Sequence, residues 1–180
     1  MKNIPIYTTK QTHKSENRIQ FLFESVGNKK IIKAIEYSEI TKINHRPIFN
    51  LGFGDYDELT NSIRDDINTN NGDVYCVFNT VLNTIPNFFN LFPDAVIFIR
   101  GSDSSDDFFT ICKATCIKKC TNACEKMHRR IKLYTYFLDK NFDWISDEFM
   151  VYGRSNMSGE NFVAYLPKQS YEELLFFKKK

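Results

Sequence analysis

Four cysteines recur at a constant spacing of four residues, and this pattern limits how the middle of the 180-residue chain can fold. They are Cys112, Cys116, Cys120 and Cys124, and His128 continues the same step. In one continuous α-helix a four-residue step advances about 40° around the axis, so the first and last thiols would point about 120° apart. The thiols can therefore meet only if the chain reverses direction between the two pairs. We expect that reversal at Lys118-Lys119 or at residues 121–123, which would give a helical hairpin.

The chemistry of these side chains predicts a structural zinc site. Zinc in proteins takes four tetrahedral thiolate or imidazole ligands, and the four cysteines supply that number, with His128 as a reserve ligand. The same ligands would also suit an iron–sulfur cluster. Two other interpretations stay open: small, buried, inert residues of a helix stripe, and a redox-sensing thiol whose pKa is lowered by nearby lysines.

Positive charge surrounds the cysteines although the whole chain carries a formal charge of only +2. Residues 113–132 hold seven lysines and arginines against the single acidic residue Glu125. Such charge would offset the negative charge of a zinc–tetrathiolate centre, and it could bind a protein or a nucleic acid. The alternative is a solvated helix face without a partner.

The amino terminus has no apolar run typical of a signal peptide, and no stretch approaches the ~20 apolar residues that a membrane span requires. We therefore expect a cytoplasmic protein with no membrane contact. Thiols stay reduced in that compartment, which favours metal binding over disulfides.

Hydrophobic patterning predicts one α+β domain spanning residues 1–180, with a mainly antiparallel sheet, two main helices packed on it and a helical, cysteine-rich basic excursion at 104–128. Strands are expected at residues 18–25, 30–41, 46–55, 95–100, 149–152, 162–166 and, as an edge strand, 174–177, with a short one within 62–67. Helices are expected at 74–89 and 129–142. Asp73 is expected to cap the first helix, Pro86 to kink or end it, and Gly153 to end a strand.

Polar residues at strand ends and helix starts suggest a second site. Asp55, Asn70, Asn71 and Asp73 could line a polar cleft. Around the turn after the 95–100 strand, Ser102 or Ser104 could cap the next helix beside Asp103, leaving amides that suit an anion. The positive charges available to such an anion or to a partner are Lys118, Lys119, Arg129 and Arg130. Ordinary turn and cap chemistry explains the same residues without a ligand.

An enzyme is the alternative to a binding module. In that hypothesis Asp55, Asp65, Asp73 and Asp103 bind a hard divalent ion, with Arg129 beside them, in a hydrolase or nuclease. It requires at least two of the carboxylates to converge. The chain has no nucleophile elbow, phosphate-cradling loop or helical His-Glu-x-x-His motif, which excludes the common hydrolase and nucleotide-triphosphatase sites.

Several short motifs resemble a family of uncharacterised proteins, a domain of unknown function found mainly in Bacteroidota. The motifs are FNLGFGD at 49–55, TNNGD at 69–73, FPDA at 92–95 and GSD at 101–103, and the ending at 171–179 is also similar. The resemblance runs from about Ile31 onward. It implies that Ser104 to Met127 is an insertion, because many members pass from the Gly-Ser turn almost directly to an arginine-rich helix start.

Overall fold

The computed structural model describes residues 5–64, 70–105, 107–116, 120–121, 124–155, 159 and 161–180. These residues form an α+β fold with mainly antiparallel strands, which confirms the predicted fold class. The chain divides into two compact units, Met1–Phe98 with Phe177–Lys180 (unit 1) and Ile99–Phe176 (unit 2). The expectation of one domain over 1–180 stays a prediction.

Unit 1 is built on a meander of antiparallel strands. Its strands are β1 (Lys10–Lys14), β2 (Arg18–Val26), β3 (Lys30–Ile43), β4 (Arg46–Asp57) and β5 (Ser62–Arg64), followed by most of β6 (Val96–Arg100). Their order is β1-β2-β3-β4-β6, with β5 paired to β4 on the side. Only the β4–β6 pair is parallel here, since α1 lies between these two strands in the chain. The described part of the predicted 62–67 strand is β5, and β1 was not predicted.

Helix α1 (Val74–Leu91) supplies the second layer of unit 1. Its apolar stripe packs on the inward residues of the sheet, and the Phe88 ring lies 4.4 Å from that of Tyr37 and 5.1 Å from that of Phe49. The Tyr37 hydroxyl also hydrogen-bonds to Thr84 at 2.8 Å, so the buried phenol is satisfied. These contacts fix the helix across the middle of the sheet.

Pro86 does not end α1, because the helix continues through it to Leu91. Proline removes one backbone hydrogen bond from a helix interior. Ile85, Phe88 and Phe89 on either side of it are each at most 1% exposed. Their burial holds the last turns in place against that loss.

Unit 2 combines short strands with three helices. It contains the end of β6, a 3-10 helix (Ser102–Ser104), α2 (Phe108–Thr115), α3 (Arg129–Lys140), α4 (Phe142–Glu148), β7 (Phe149–Arg154), β8 (Val163–Ala164) and most of β9 (Glu173–Lys178). The strands β6, β9, β7 and β8 follow one another in the sheet, so the expectation that the last strand is an edge strand is wrong.

Gly153 lies inside β7 and does not end it. A side chain at this position would collide with the ring of Tyr171, which packs directly over the glycine. The glycine is therefore needed for close packing rather than for a turn.

Among the described residues, no helix is both long and apolar enough to cross a membrane.

Candidate functional site

The cysteine segment folds back on itself. Helix α2 ends at Thr115, and Cys116 has an extended backbone with φ −75° and ψ 113°. The thiol of Cys112 makes hydrogen bonds with those of Cys116 and Cys124. In a continuous helix, twelve residues would separate Cys112 from Cys124 by about 18 Å. The chain therefore does not continue as one straight helix from Cys112 to Cys124, and residues 117–119 and 122–123 between them lie outside the described ranges.

Burial, followed by the hydrogen bonds with Cys124 and Cys116, raises the pKa of the Cys112 thiol to about 11. Cys112 and Cys124 are each 9% exposed, whereas Cys116 and Cys120 are half-buried. The Cys112 thiol therefore stays protonated at neutral pH unless a cation compensates the charge of its thiolate. A bound metal ion would supply that compensation and displace the protons.

A complete metal site is not preformed in the part of the chain that the structure describes. No group of three or more His, Cys, Asp or Glu side chains there could hold a metal ion. The zinc site at Cys112, Cys116, Cys120 and Cys124 stays a prediction, as does the iron–sulfur alternative. Lys118 and Lys119 lie outside the described residues.

His128, the reserve ligand, has both ring nitrogens engaged in unit 2. Its Nδ1 lies 3.1 Å from the Ser104 hydroxyl, and its Nε2 lies 3.7 Å from a carboxylate oxygen of Glu172. The residue adopts a left-handed backbone with φ 58° immediately before α3. His128 could bind a metal only by giving up these contacts.

Asp103 lies at the amino terminus of α3, whereas free amides for an anion were expected at the helix directly after Ser102 and Ser104. Its Oδ2 accepts a hydrogen bond from the Arg130 amide at 3.0 Å, and its carbonyl accepts one from the His128 amide. The carboxylate is therefore itself the anion at this helix end. Its Oδ1 has no hydrogen-bond partner among the described residues. Gly101 permits this arrangement, since a side chain there would lie 2.5 Å from Oδ1.

The serines of this turn do not cap α2. The residue before that helix is Asp107, and no side chain caps it. Ser104 is 4% exposed and its hydroxyl contacts His128, while Ser102 is exposed. The predicted anion-binding role of Ser102, Arg129 and Arg130 stays a prediction.

Asp73 directly precedes α1 as expected, but its carboxylate does not cap the helix. Oδ2 instead accepts hydrogen bonds from the hydroxyls of Ser25 at 2.6 Å and Tyr7 at 2.7 Å. Burial alone would raise the pKa of Asp73, but the hydrogen bonds from Ser25, Tyr7 and the backbone, together with the charge of Lys33, outweigh burial and lower it. Burial and the hydrogen bond to Asp73 raise the pKa of Tyr7 to about 12. The network ties the first residues of the chain to β2 and α1.

The other members of the expected polar cleft also have partners inside unit 1. Asp55 forms a 2.5 Å ion pair with Lys33, and both side chains are mostly buried. Asn71 accepts from the Lys29 amide at 2.8 Å and donates to Ser25 at 2.9 Å, holding the β2–β3 turn. Asn70 is exposed. The polar cleft stays a prediction, and Asp65 lies outside the described ranges.

One cluster in unit 2 was missed by sequence reasoning. The Glu173 carboxylate is 5% exposed and contacts two guanidinium groups, Arg154 at 2.7 Å and Arg100 at 3.6 Å. Arg100 also donates to the Ser104 carbonyl at 2.7 Å. The sequence sign of this cluster was Arg100, a charged residue at the end of the apolar strand at 95–100. Arg154 and Glu173, the other two members, lie more than fifty residues away in the sequence.

Comparison with known proteins agrees with the resemblance drawn from the motifs. A family model described as Family of unknown function (DUF6934) matches residues 3–108, which is more than half of the chain. The chain belongs to this family. The DUF6934 match spans β1 to β6 and α1 and stops at the first residue of α2, before the four cysteines Cys112, Cys116, Cys120 and Cys124. No curated protein and no solved structure matches the chain.

Proposed function

We propose that this protein is a cytoplasmic binding module in which structural zinc shapes the cysteine segment. Cys112, Cys116, Cys120 and Cys124 would hold the ion. The observation that supports this proposal is the contact of the Cys112 thiol with both Cys116 and Cys124. It shows three of the four thiols gathered by a fold-back, which a helix stripe of inert cysteines would not require.

Zinc would contribute stability rather than reactivity. Structural zinc replaces thiol protons and joins distant parts of a chain, so its binding free energy becomes folding free energy. The segment between α2 and α3 has little regular structure among its described residues. A zinc ion is therefore well suited to order it.

The partner would be a protein or a nucleic acid that meets the basic surface beside the cysteines. Lys113 on α2 and Arg129 and Lys132 on α3 are exposed. Exposed cations next to a rigid segment suit an acidic protein surface or a phosphate backbone.

Metal analysis of protein purified without chelator tests the proposal. We expect about one zinc per chain, and a loss of most of it in Cys112→Ser and Cys124→Ser, because structural zinc requires its full ligand set. Iron in place of zinc would support the cluster alternative.

Cys76→Ser is the matched control, since Cys76 is half-buried in α1 and remote in sequence from the other cysteines. It should keep the metal content of the unmodified protein. Protein without bound metal, or equal metal in all three variants, would refute the zinc site.

No observation favours the hydrolase or nuclease. Asp55, Asp73 and Asp103 each bond to a different group of the chain, namely the Lys33 amine, the Ser25 and Tyr7 hydroxyls, and the Arg130 amide.

A further inference from the structure

We propose that Cys112 and Cys124 form a reversible disulfide when the protein meets a peroxide, which makes the cysteine segment a redox switch. All five cysteines of the chain are free thiols in the structure. The Cys112 thiol makes hydrogen bonds with those of Cys124 and Cys116. Sulfur atoms in such contact need only side-chain rotations to reach the ~2.05 Å of an S–S bond. The reduced fold therefore already holds the partners of a disulfide together.

The exposure of the thiols assigns the first step to Cys116. Its side chain is half-buried, whereas those of Cys112 and Cys124 are each 9% exposed. The raised pKa of the buried Cys112 thiol also makes that residue a poor first nucleophile at neutral pH. The Cys116 sulfur attacks one peroxide oxygen and the O–O bond breaks, which leaves a sulfenic acid. The thiol proton ends on the departing oxygen as water or an alcohol.

Two further steps lead to the buried pair. The Cys112 thiol attacks the sulfur of the Cys116 sulfenic acid, an S–S bond forms, and the hydroxyl leaves with the thiol proton as water. Cys124, which also contacts Cys112, then attacks the Cys112 sulfur and releases Cys116 as a thiol. Overall, two thiols are oxidised to one disulfide, and one molecule of peroxide takes up their two electrons and two protons.

The bond between Cys112 and Cys124 is favoured over the one between Cys112 and Cys116. External thiols reduce a disulfide by attacking an accessible sulfur, and Cys116 is the most accessible of the three residues. The longer loop that Cys112 and Cys124 close also removes more freedom from the unfolded chain. The final product is therefore the buried disulfide.

The disulfide and the zinc ion exclude each other. Zinc binds thiolates, and a sulfur atom in a disulfide no longer carries that charge. Oxidation would leave only Cys116 and Cys120 of the four predicted ligands, so zinc would be released. This release rests on the proposed function, whereas formation of the disulfide does not.

Treatment of the intact chain with one equivalent of hydrogen peroxide tests the switch. The reduced protein is used as purified and after removal of metal by a chelator. We expect mass spectrometry to show the loss of two hydrogen atoms per chain, peptide mapping to join Cys112 to Cys124, and dithiothreitol to reverse the change. Zinc-loaded protein should release about one zinc ion per disulfide, as measured with a chromogenic chelator.

Two variants separate the roles of the cysteines. Cys112→Ser removes the central thiol, so the yield of disulfide within the cysteine segment should fall at least about tenfold, with oxygen added at Cys116 instead. Cys76→Ser is the matched control, because Cys76 lies in α1 and should not take part. It should oxidise like the unmodified protein.

Three results would each overturn the switch: oxygen addition without a disulfide in the unmodified protein, a disulfide that includes Cys76, or an equal yield in Cys112→Ser. A disulfide between Cys112 and Cys124 in protein that never contains zinc would support the switch and refute the zinc site alone. Protein that binds zinc, but forms no disulfide once the metal is removed, would refute the switch alone.

Discussion

Asp73 shows how one carboxylate can hold together segments that are far apart in sequence. It accepts hydrogen bonds from Tyr7 and Ser25, which precede it by 66 and 48 residues. The negative form of the carboxyl is the one that accepts both bonds. Its folded pKa therefore lies below the ordinary value of 3.8, despite the cost of burial.

A lowered folded pKa links Asp73 to acid stability. Its contribution is complete above the unfolded pKa and is lost as the pH falls through the folded pKa. We expect Asp73→Asn to lower the free energy of unfolding by about 1 kcal/mol at pH 7, a modest value because the site is only partly buried. The variant should lose less stability than the unmodified protein between pH 5 and pH 2. Urea denaturation across that pH range measures both effects.

Asp94→Asn provides the comparison, because Asp94 is an exposed carboxyl in the connection between α1 and β6. The Asp94→Asn variant should have the same free energy of unfolding as the unmodified protein at both pH 5 and pH 2. If the free energy of unfolding fell equally with pH in Asp73→Asn and in the unmodified protein, the role assigned to the hydrogen bonds of Asp73 with Tyr7 and Ser25 would be contradicted.

Sequence reasoning placed Asp73 correctly but assigned its side chain wrongly. The position before an apolar helical stripe is a local property, and a short stretch of sequence reveals it. The partners Tyr7 and Ser25 come from a tertiary arrangement that no local pattern contains. The same holds for Glu173, whose two arginines come from other strands.

At the scale of elements, the long amphipathic helices and the alternating strands were predictable, and the marginal elements were not. Strand β1 is exposed at every residue, so it lacks the alternation that marks a strand. Helix α4 was not predicted apart from its first residue, Phe142, which was assigned to the end of α3 because apolar spacing continues across Asn141. The Asn141 side chain bonds to the Phe137 carbonyl at 2.8 Å, and this contact accompanies the end of α3.

The fold-back between α2 and α3 can be tested by cross-linking. In a variant with Cys76→Ser, Cys116→Ser and Cys120→Ser, metal-free Cys112 and Cys124 should form a disulfide rapidly with diamide. The two thiols lose two electrons and two protons to the reagent. A single straight helix would hold them about 18 Å apart, beyond disulfide reach.

The same variant unfolded in urea shows how fast the bond forms by random encounter. We expect native protein to react faster, as followed by mass spectrometry of the intact chain. Equal rates, or no disulfide in the native protein, would show that the two cysteines are not neighbours.

At the scale of the whole molecule, the family match and the cysteines occupy different parts of the chain. The DUF6934 match ends at Phe108, whereas four of the five cysteines and 13 of the 24 lysines and arginines follow it. Most of what the family model recognises therefore lies in unit 1. The features behind our proposals lie in unit 2.

The basic surface predicts a particular salt dependence if the partner is duplex nucleic acid. Each phosphate contact contributes about 0.9 to the slope of log affinity against log salt. Replacing Lys113, Arg129 and Lys132 with Gln should reduce that slope by about 2 to 3, measured by fluorescence anisotropy.

Replacing Lys10 and Lys14 with Gln is the control, because both lysines are exposed on β1 in unit 1. It should leave the slope nearly unchanged. No detectable binding by the zinc-loaded protein would leave an acidic protein surface as the partner to pursue. Equal slopes in the two variants would show that the surface beside the cysteines is not the contact.

Strand β1 also bears on how the protein behaves at high concentration. It lies at one end of the strand order of unit 1, with a lysine at each terminus and no buried residue. The unpaired backbone N–H and C=O groups of an edge strand can pair with a strand of another molecule, and charged side chains along that strand make such pairing unfavourable. We therefore expect Lys10 and Lys14 to make fibrillar self-association through β1 less favourable.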